Sequence, residues 1–233
     1  AHKTGLTIAM GTDAGPTVDI SGAIHAANTY RDDQITLVGP ESHIKAILED
    51  LPKPIPVNID VINAPDVITM TDKASLVGKK KPASSMHIGT NLVKDGKADA
   101  FVTAGNTGAA HAISMLFTLK RMPHVKRPAL SAIFPIYNKP TIFVDVGANA
   151  DARPDWLVQF AVMGKIYAER ALHIESPRIG LLSNGEEDSK GTEAIQQASN
   201  HLRELPLKFL GQVEPKHILA GELDVVVCDG FTG

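Results

Sequence analysis

The chain has 233 residues, 43% hydrophobic and 21% charged, a balance that suits one large or two modest soluble domains with a buried core. A formal net charge of −3 supplies no field for nucleic acid, and one cysteine, Cys228, excludes an intrachain disulfide or a Cys-based zinc cluster. No apolar run approaches the roughly 18 residues of a membrane-spanning helix, and the 5% aromatic content favours small aliphatic packing of helices on a Val- and Ile-rich sheet.

In chain order, Leu6–Ala9 reads as a strand and Val18–Tyr30 as a helix after Pro16. Ile35–Val38 is a short apolar run stopped by Gly39-Pro40, Glu41–Asp50 is helical by composition, and Val57–Ile62 alternates as a strand. Residues 64–83, with Pro65, Gly78, Pro82 and Lys79-Lys80-Lys81, read as a partly helical, exposed crossing segment. Ser84–Lys94 reads as a helix, Ala100–Thr103 as a strand and the Ala-rich Gly108–Leu119 as a helix, followed by a basic connection over 120–128. Leu130–Phe134 and Thr141–Val144 suit an antiparallel hairpin turning through Tyr137-Asn138-Lys139-Pro140. The clearest helix is Pro154–His173, where Trp156, Phe160, Met163, Tyr167 and Ala171 recur at helical spacing behind a first-turn proline. Arg178–Leu182, Thr192–Arg203, Lys208–Leu210 and Val225–Cys228 continue the alternation of strand and helix. The pattern implies α/β: a three-layer α/β/α sandwich with a mostly parallel sheet, read as a single domain over 1–233. Val225–Cys228 reads as a buried strand that should be followed by a covering helix, so the domain is expected to continue past Gly233.

Five apolar runs end in loops of small polar residues: Met10-Gly11-Thr12-Asp13, Ala104-Gly105-Asn106-Thr107-Gly108, Asp145-Val146-Gly147-Ala148-Asn149, Ser183-Asn184-Gly185-Glu186-Glu187 and Asp229-Gly230-Phe231-Thr232-Gly233. Helical patterns follow from Gly108, Pro154 and Thr192. In a parallel sheet such loops gather outside the carboxyl ends of the strands, where ligands bind. Glycine admits backbone N–H groups close to an anion, and a following helix offers its positive end. One shared, anion-friendly cleft is the expectation.

These loops, with Ser84-Ser85-Met86, 91–100, Arg127-Pro128-Ala129-Leu130, 159–164, Lys190-Gly191 and Val227-Cys228, resemble in order the PlsX family of bacterial phosphate acyltransferases. The resemblance implies a phosphotransacetylase-like fold and a reaction of acyl-[acyl carrier protein] with inorganic phosphate, giving acyl-phosphate and free carrier protein for glycerophospholipid synthesis. It further implies a homodimer, peripheral membrane association of the full-length protein, no metal, no organic cofactor, and a chain extending roughly 100 residues further. An acyl-CoA donor, and a catalytically idle binding or scaffolding homologue, are the alternatives left open. The family's first loop usually reads Asp-x-Met-Gly-Gly-Asp; here Ile8 stands for the leading acid and Thr12 for one glycine. The absence of a signal-peptide pattern and the single cysteine point to a cytoplasmic location, with membrane association as a second option.

Phosphate is a competent nucleophile and thiolate a good leaving group, so positioning and electrostatic preorganisation can carry this reaction without an acyl-enzyme. Gly105, Asn106, Thr107 and Gly108 form the first-choice anion cradle, with a plain Thr-capped turn as the competing reading. Asp145 and Asn149 are candidates to orient phosphate or the carbonyl, with Gly147 as a phosphate-binding position between them; the alternative is an Asx-type turn before the helix. Lys190 is the candidate cation; Glu186 and Glu187, beside Gly185, anchor that lysine or handle a proton. Asp229, which ends a strand at the cleft, is a candidate catalytic residue with capping as the alternative, and Gly11 and Asp13 of the first loop are candidates to bind phosphate or substrate. Ser84 and Ser85 precede a helix, where capping and anion binding can coexist. No Gly-x-Ser-x-Gly elbow supports a Ser–His nucleophile, and His87 reads as a helix-surface histidine. Nine histidines show no metal-ligand spacing, so no metal is expected. Lys79, Lys80, Lys81, Lys120, Arg121, Lys126, Arg127 and Arg153 are candidates for docking an acidic carrier, or form an ordinary solvated face.

Overall fold

The computed structural model describes residues 5–9, 11–52, 54–137 and 139–233, with backbone only for 6–9. Met10, Asn138 and the side chain of Ile8 lie outside the described residues. The chain forms two compact units, 1–121 and 122–233, each with its own sheet. The expected mostly parallel α/β architecture is thus divided over two sheets.

In the first unit the strands are β1 (Gly5–Ala9), β2 (Gln34–Gly39), β3 (Ile59–Asn63) and β4 (Ala100–Thr103), all parallel in the order β3-β2-β1-β4. Helices α1 (Pro16–Thr29) and α2 (Glu41–Asp50) follow β1 and β2. They bury Ile20, Ala23, Ala27 and Ile44 against Ile35 and Leu37 of β2. The chain then reverses direction across the sheet through α3 (Ala74–Lys80) and α4 (Ser85–Lys94) to reach β4. Because parallel crossovers are right-handed, this reversal sends α4 to the opposite face. There Met86 packs with Ile68, Val77 and, from α5 (Thr107–Leu116), Ala109 and Ile113.

The second unit pairs β5 (Ser131–Ile136) antiparallel with β6 (Lys139–Val144), the hairpin expected from sequence. Its sheet order is β5-β6-β9-β7-β8, with β7 (Ile179–Leu182), β8 (Phe209–Val213) and β9 (Val225–Val227) parallel to β6. Helices α6 (Pro154–Ala171) and α7 (Glu193–Arg203) cover one face, where Phe160, Ala161 and Leu202 meet Ile142, Leu181, Val225 and Val227. The return from β8 runs through α8 (Pro215–Leu219) on the other face, with Ile218, Val213, Leu223 and Val226. Alternation along β9 therefore feeds both cores. A Cβ at Gly164 of α6 would lie 2.5 Å from Val225 Cγ1, so this glycine sets how closely α6 approaches β9.

Several sequence-drawn boundaries move. Val57 is fully exposed in a turn and β3 starts at Ile59. α6 stops at Ala171, short of His173, whose φ of 54° is left-handed. α8 carries no periodic signal because it is five residues long.

Candidate active site

The first unit brings the loops after β1 and β4 together where the sheet order reverses, the crevice position for ligands in open α/β sheets. Gly105 is buried there, and a Cβ on it would sit 3.2 Å from the Gly11 carbonyl oxygen and 3.2 Å from Met86 Cε. Thr12 donates its hydroxyl to the Gly15 carbonyl at 3.2 Å, closing the turn before α1. Asp13 is exposed beside it. Asp19 on α1 also reaches this turn; burial pushes its carboxyl up, partly offset by hydrogen bonds from Gly11 and Thr12.

Asn106 has little left to offer a ligand. Its Oδ1 caps α5 by accepting from Ala109 N at 2.9 Å, and its Nδ2 faces the carbonyls of Thr69, Met70 and Asp72 at 3.2, 3.3 and 3.0 Å. It stitches the 69–72 segment to α5. Thr107 and Gly108 are exposed in the first turn of α5. Asp72 in turn pairs with Lys81 Nζ at 2.6 Å, which lowers the Asp72 pKa. Lys81 is thereby tied into the fold.

Ser84 and Ser85 lie inside the molecule rather than on a binding surface. Ser84 caps α4, accepting from His87 N at 3.4 Å, and its Oγ lies 2.9 Å from His87 Nδ1. His87 is a correction to the sequence reading: it is buried, 6% exposed, with Phe117 edge-on at 5.7 Å. Burial lowers its pKa.

In the second unit the loops after β6, β9 and β7 are neighbours because their strands are. Asp145 is fully buried, and its carboxylate accepts from the backbone N–H groups of Leu130, Gly147, Ala148 and Asn149 at 2.8–3.2 Å. Asn149 Nδ2 donates to Asp145 Oδ2 at 2.7 Å and to the Pro128 carbonyl at 2.9 Å. The loop after β9 packs on this turn: a Cβ at Gly230 would lie 3.0 Å from Asn149 N and Gly147 Cα. Asp229 Oδ1 accepts from Phe231 N and Thr232 N at 3.1 and 2.7 Å. Cys228 is buried under the loop, and burial, with Asp229 and Asp145 nearby, pushes its thiol up to about 12.

Above these loops lies a cavity of about 220 Å3 lined by Asp151, Ala152, Leu157, Thr192, Glu193, Ala194, Asp229 and Thr232 among others. A wider cleft of about 570 Å3 shares Leu182, Thr192, Ile195 and Thr232 with it and adds Ser183, Asn184 and Gly191. Thr192 caps α7, so the first-turn N–H groups of that helix face this space. Lys190 is exposed, its backbone N–H bonded to the Glu187 carbonyl at 2.9 Å.

Glu186 does not hold Lys190. Its Oε1 accepts from Lys216 Nζ at 2.7 Å and faces His217 Nε2 at 2.9 Å. Lys216, first, and His217 hold the Glu186 pKa down at about 2. Glu187 is exposed. Sequence reading missed this contact, as α8 has no pattern to place it.

Near the start of α6, Arg127 and Arg153 stack on Trp156, with guanidinium carbons 5.0 and 5.8 Å from the ring centre. Lys126 pairs with Asp155 at 2.6 Å. Ala152 and Leu157, which bracket this turn of helix, line the cavity. Among the described residues, no group of His, Cys, Asp and Glu side chains is arranged to hold a metal, and no helix is long and apolar enough to cross a membrane.

The family model described as "Fatty acid synthesis protein" matches residues 3–233. The chain belongs to that family. It is 45% identical over 229 residues to a phosphate acyltransferase of Koribacter versatilis, covering 96% of this chain and 63% of the relative. A phosphate acyltransferase of Trichlorobacter lovleyi is 45% identical over 225 residues, covering 97% and 64%. The chain thus spans a little under two thirds of the length of these curated relatives. Among solved structures, a phosphotransacetylase from Streptococcus pyogenes superposes with a TM-score of 0.73 at 17% identity, covering 99% of this chain and 78% of that one. EutD phosphotransacetylase from Staphylococcus aureus gives 0.71 at 19% identity, covering 97% and 77%. These likenesses establish the α/β fold of the phosphotransacetylases for the family member described here.

Proposed function

We propose that the chain carries the acyl-transfer chemistry of a phosphate acyltransferase: acyl-[acyl carrier protein] plus inorganic phosphate gives acyl-phosphate plus free carrier protein, for glycerophospholipid synthesis. The observation that carries this reading is 45% identity to phosphate acyltransferases over nearly all of the chain. The cleft at the α7 N-terminus supports it.

A phosphate oxygen attacks the thioester carbonyl, a tetrahedral oxyanion forms, and the C–S bond breaks with its electron pair leaving on the carrier's thiolate. The first-turn N–H groups of α7 and the Lys190 ammonium supply positive charge where negative charge accumulates. Asp145 and Asn149 act by fixing the loop beneath, since each is already engaged in it. Asp229 holds the 231–232 turn against the cavity. The Arg127–Trp156–Arg153 stack presents guanidinium edges to an acidic carrier beside that wall. The reading includes a homodimer, a cytoplasmic location and peripheral membrane association of the full-length protein, with no organic cofactor.

The test is formation of acyl-phosphate by the full-length protein from phosphate and either long-chain acyl-carrier protein or acyl-CoA. Product from the carrier thioester is expected, and Lys190→Ala should lower kcat/KM for phosphate by about tenfold or more. Product from CoA alone would move the assignment to an acyl-CoA phosphotransacylase. No product from either donor would refute the proposed reaction.

A further inference from the structure

The segment between β7 and α7 is fastened at several points. Asn184 Oδ1 accepts from Gly191 N at 2.9 Å, closing the segment at its base. Arg203 of α7 pairs with Asp188 at 2.5 Å, and Gln196 Nε2 donates to the Ser189 carbonyl at 2.8 Å. The Lys190 stem lies across Gly185, where an added Cβ would be 2.6 Å from Lys190 Cγ. Gly185 and Lys190 are therefore packed against each other within the turn.

Glu186, next to Gly185, ties this turn to α8. His217 has Glu186 Oε1 at 2.9 Å on Nε2 and Glu222 Oε2 at 2.7 Å on Nδ1. With a carboxylate on each nitrogen, the ring can donate to both only as the imidazolium, so these partners favour the protonated form. The helix bearing it is itself anchored, with Ile218 in the core beside Leu223 and Val226.

We propose that His217, with Lys216, is a positioning residue: it holds Glu186 and so fixes the Gly185–Lys190 turn, whose exposed ammonium the proposed reaction assigns to phosphate. The proposal rests on the reading of Lys190 given above.

Glu186, foremost, and Glu222 raise the His217 pKa above 6.5. The charged groups against the ring are Glu186 from the β7–α7 segment and Glu222 after α8; the neighbouring Lys216 pairs with Glu186 and with Glu214, the residue before α8. Tyr137 packs on Gly221 nearby, 3.5 Å from where a Cβ would stand. Since the folded pKa is raised, the His217 arm of the clasp is complete below 6.5 and is lost as pH rises through the higher folded value, while Lys216 keeps its pair with Glu186. Glu186 stays ionised throughout, with its pKa at about 2.

Amide hydrogen exchange on the full chain, corrected for the intrinsic effect of pH, tests this between about pH 6 and 8.5. Protection over 184–191 should fall about threefold or more as pH rises in the parent chain. In His217→Gln it should already be low at the acid end and stay flat, while β9 keeps its protection in both. Glu186→Gln gives the same readout if the histidine variant does not fold. In turnover, His217→Gln should raise KM for phosphate several-fold at unchanged kcat near pH 6, with the gap closing at higher pH. Unaltered protection in the variants, or a loosened turn with unaltered phosphate KM, would overturn the proposal. If no acyl-phosphate forms at all, the exchange data still decide the clasp, and the failure belongs to the proposed reaction.

Discussion

The turns after β6 and β7 sit at the same edge of one sheet and are held by opposite physics. Asp145–Asn149 is organised from inside: one buried carboxylate collects four backbone N–H groups and a side-chain amide. The segment over 183–191 is organised from outside, by exposed ion pairs from Lys216, His217 and Arg203. Contacts of the first kind are shielded from salt, whereas exposed pairs are screened and individually weak. The contrast separates a floor that is part of the fold from a rim that can be tuned.

Breaking the floor should have the larger effect. Asp145→Ala strands several buried N–H donors at once and should destabilise the protein by about 3–5 kcal/mol in denaturant unfolding. A loss below about 1 kcal/mol would show that the turn does not depend on its carboxylate. Removing the rim contacts should instead leave the unfolding midpoint nearly unchanged and appear as faster local exchange and a raised phosphate KM near pH 6 that converges on the parent value at higher pH. The smallest expected effect concerns reactivity beneath the floor. With its thiol pushed up to about 12, Cys228 should resist iodoacetamide at about pH 8 in the native protein and react once it is unfolded. Rapid native labelling would mean that the floor opens readily.

How much of this was readable in the sequence depends on how local the cause is. Pro154 and the Trp156–Phe160–Met163 stripe specify α6, and the break between two apolar runs at 137–140 marks the hairpin, although Lys139 and Pro140 already pair within β6. The Asp145 and Asn149 turn was similarly legible as an Asx-type arrangement, since most of its bonds close within five residues. Non-local pairing was not. That β9 inserts between β6 and β7, and that the strands divide into two sheets, depend on contacts no periodicity encodes. His87 reads as exposed because the groups that surround it, among them Phe117 just after α5 and the 78–81 segment, are not its neighbours in sequence. Glu186 was read with Lys190, its near neighbour in sequence, whereas its partners lie 30 and 31 positions away on α8. Asn106 was read as a ligand donor, and its amide serves carbonyls more than thirty residues earlier.

The central claim, that inorganic phosphate is held at the α7 N-terminus and the Lys190 turn, is tested most directly by hydrogen exchange with and without orthophosphate. The account predicts added protection over 184–195 in the parent chain that is lost in Lys190→Ala. Protection appearing elsewhere, or persisting unchanged in that variant, would contradict it.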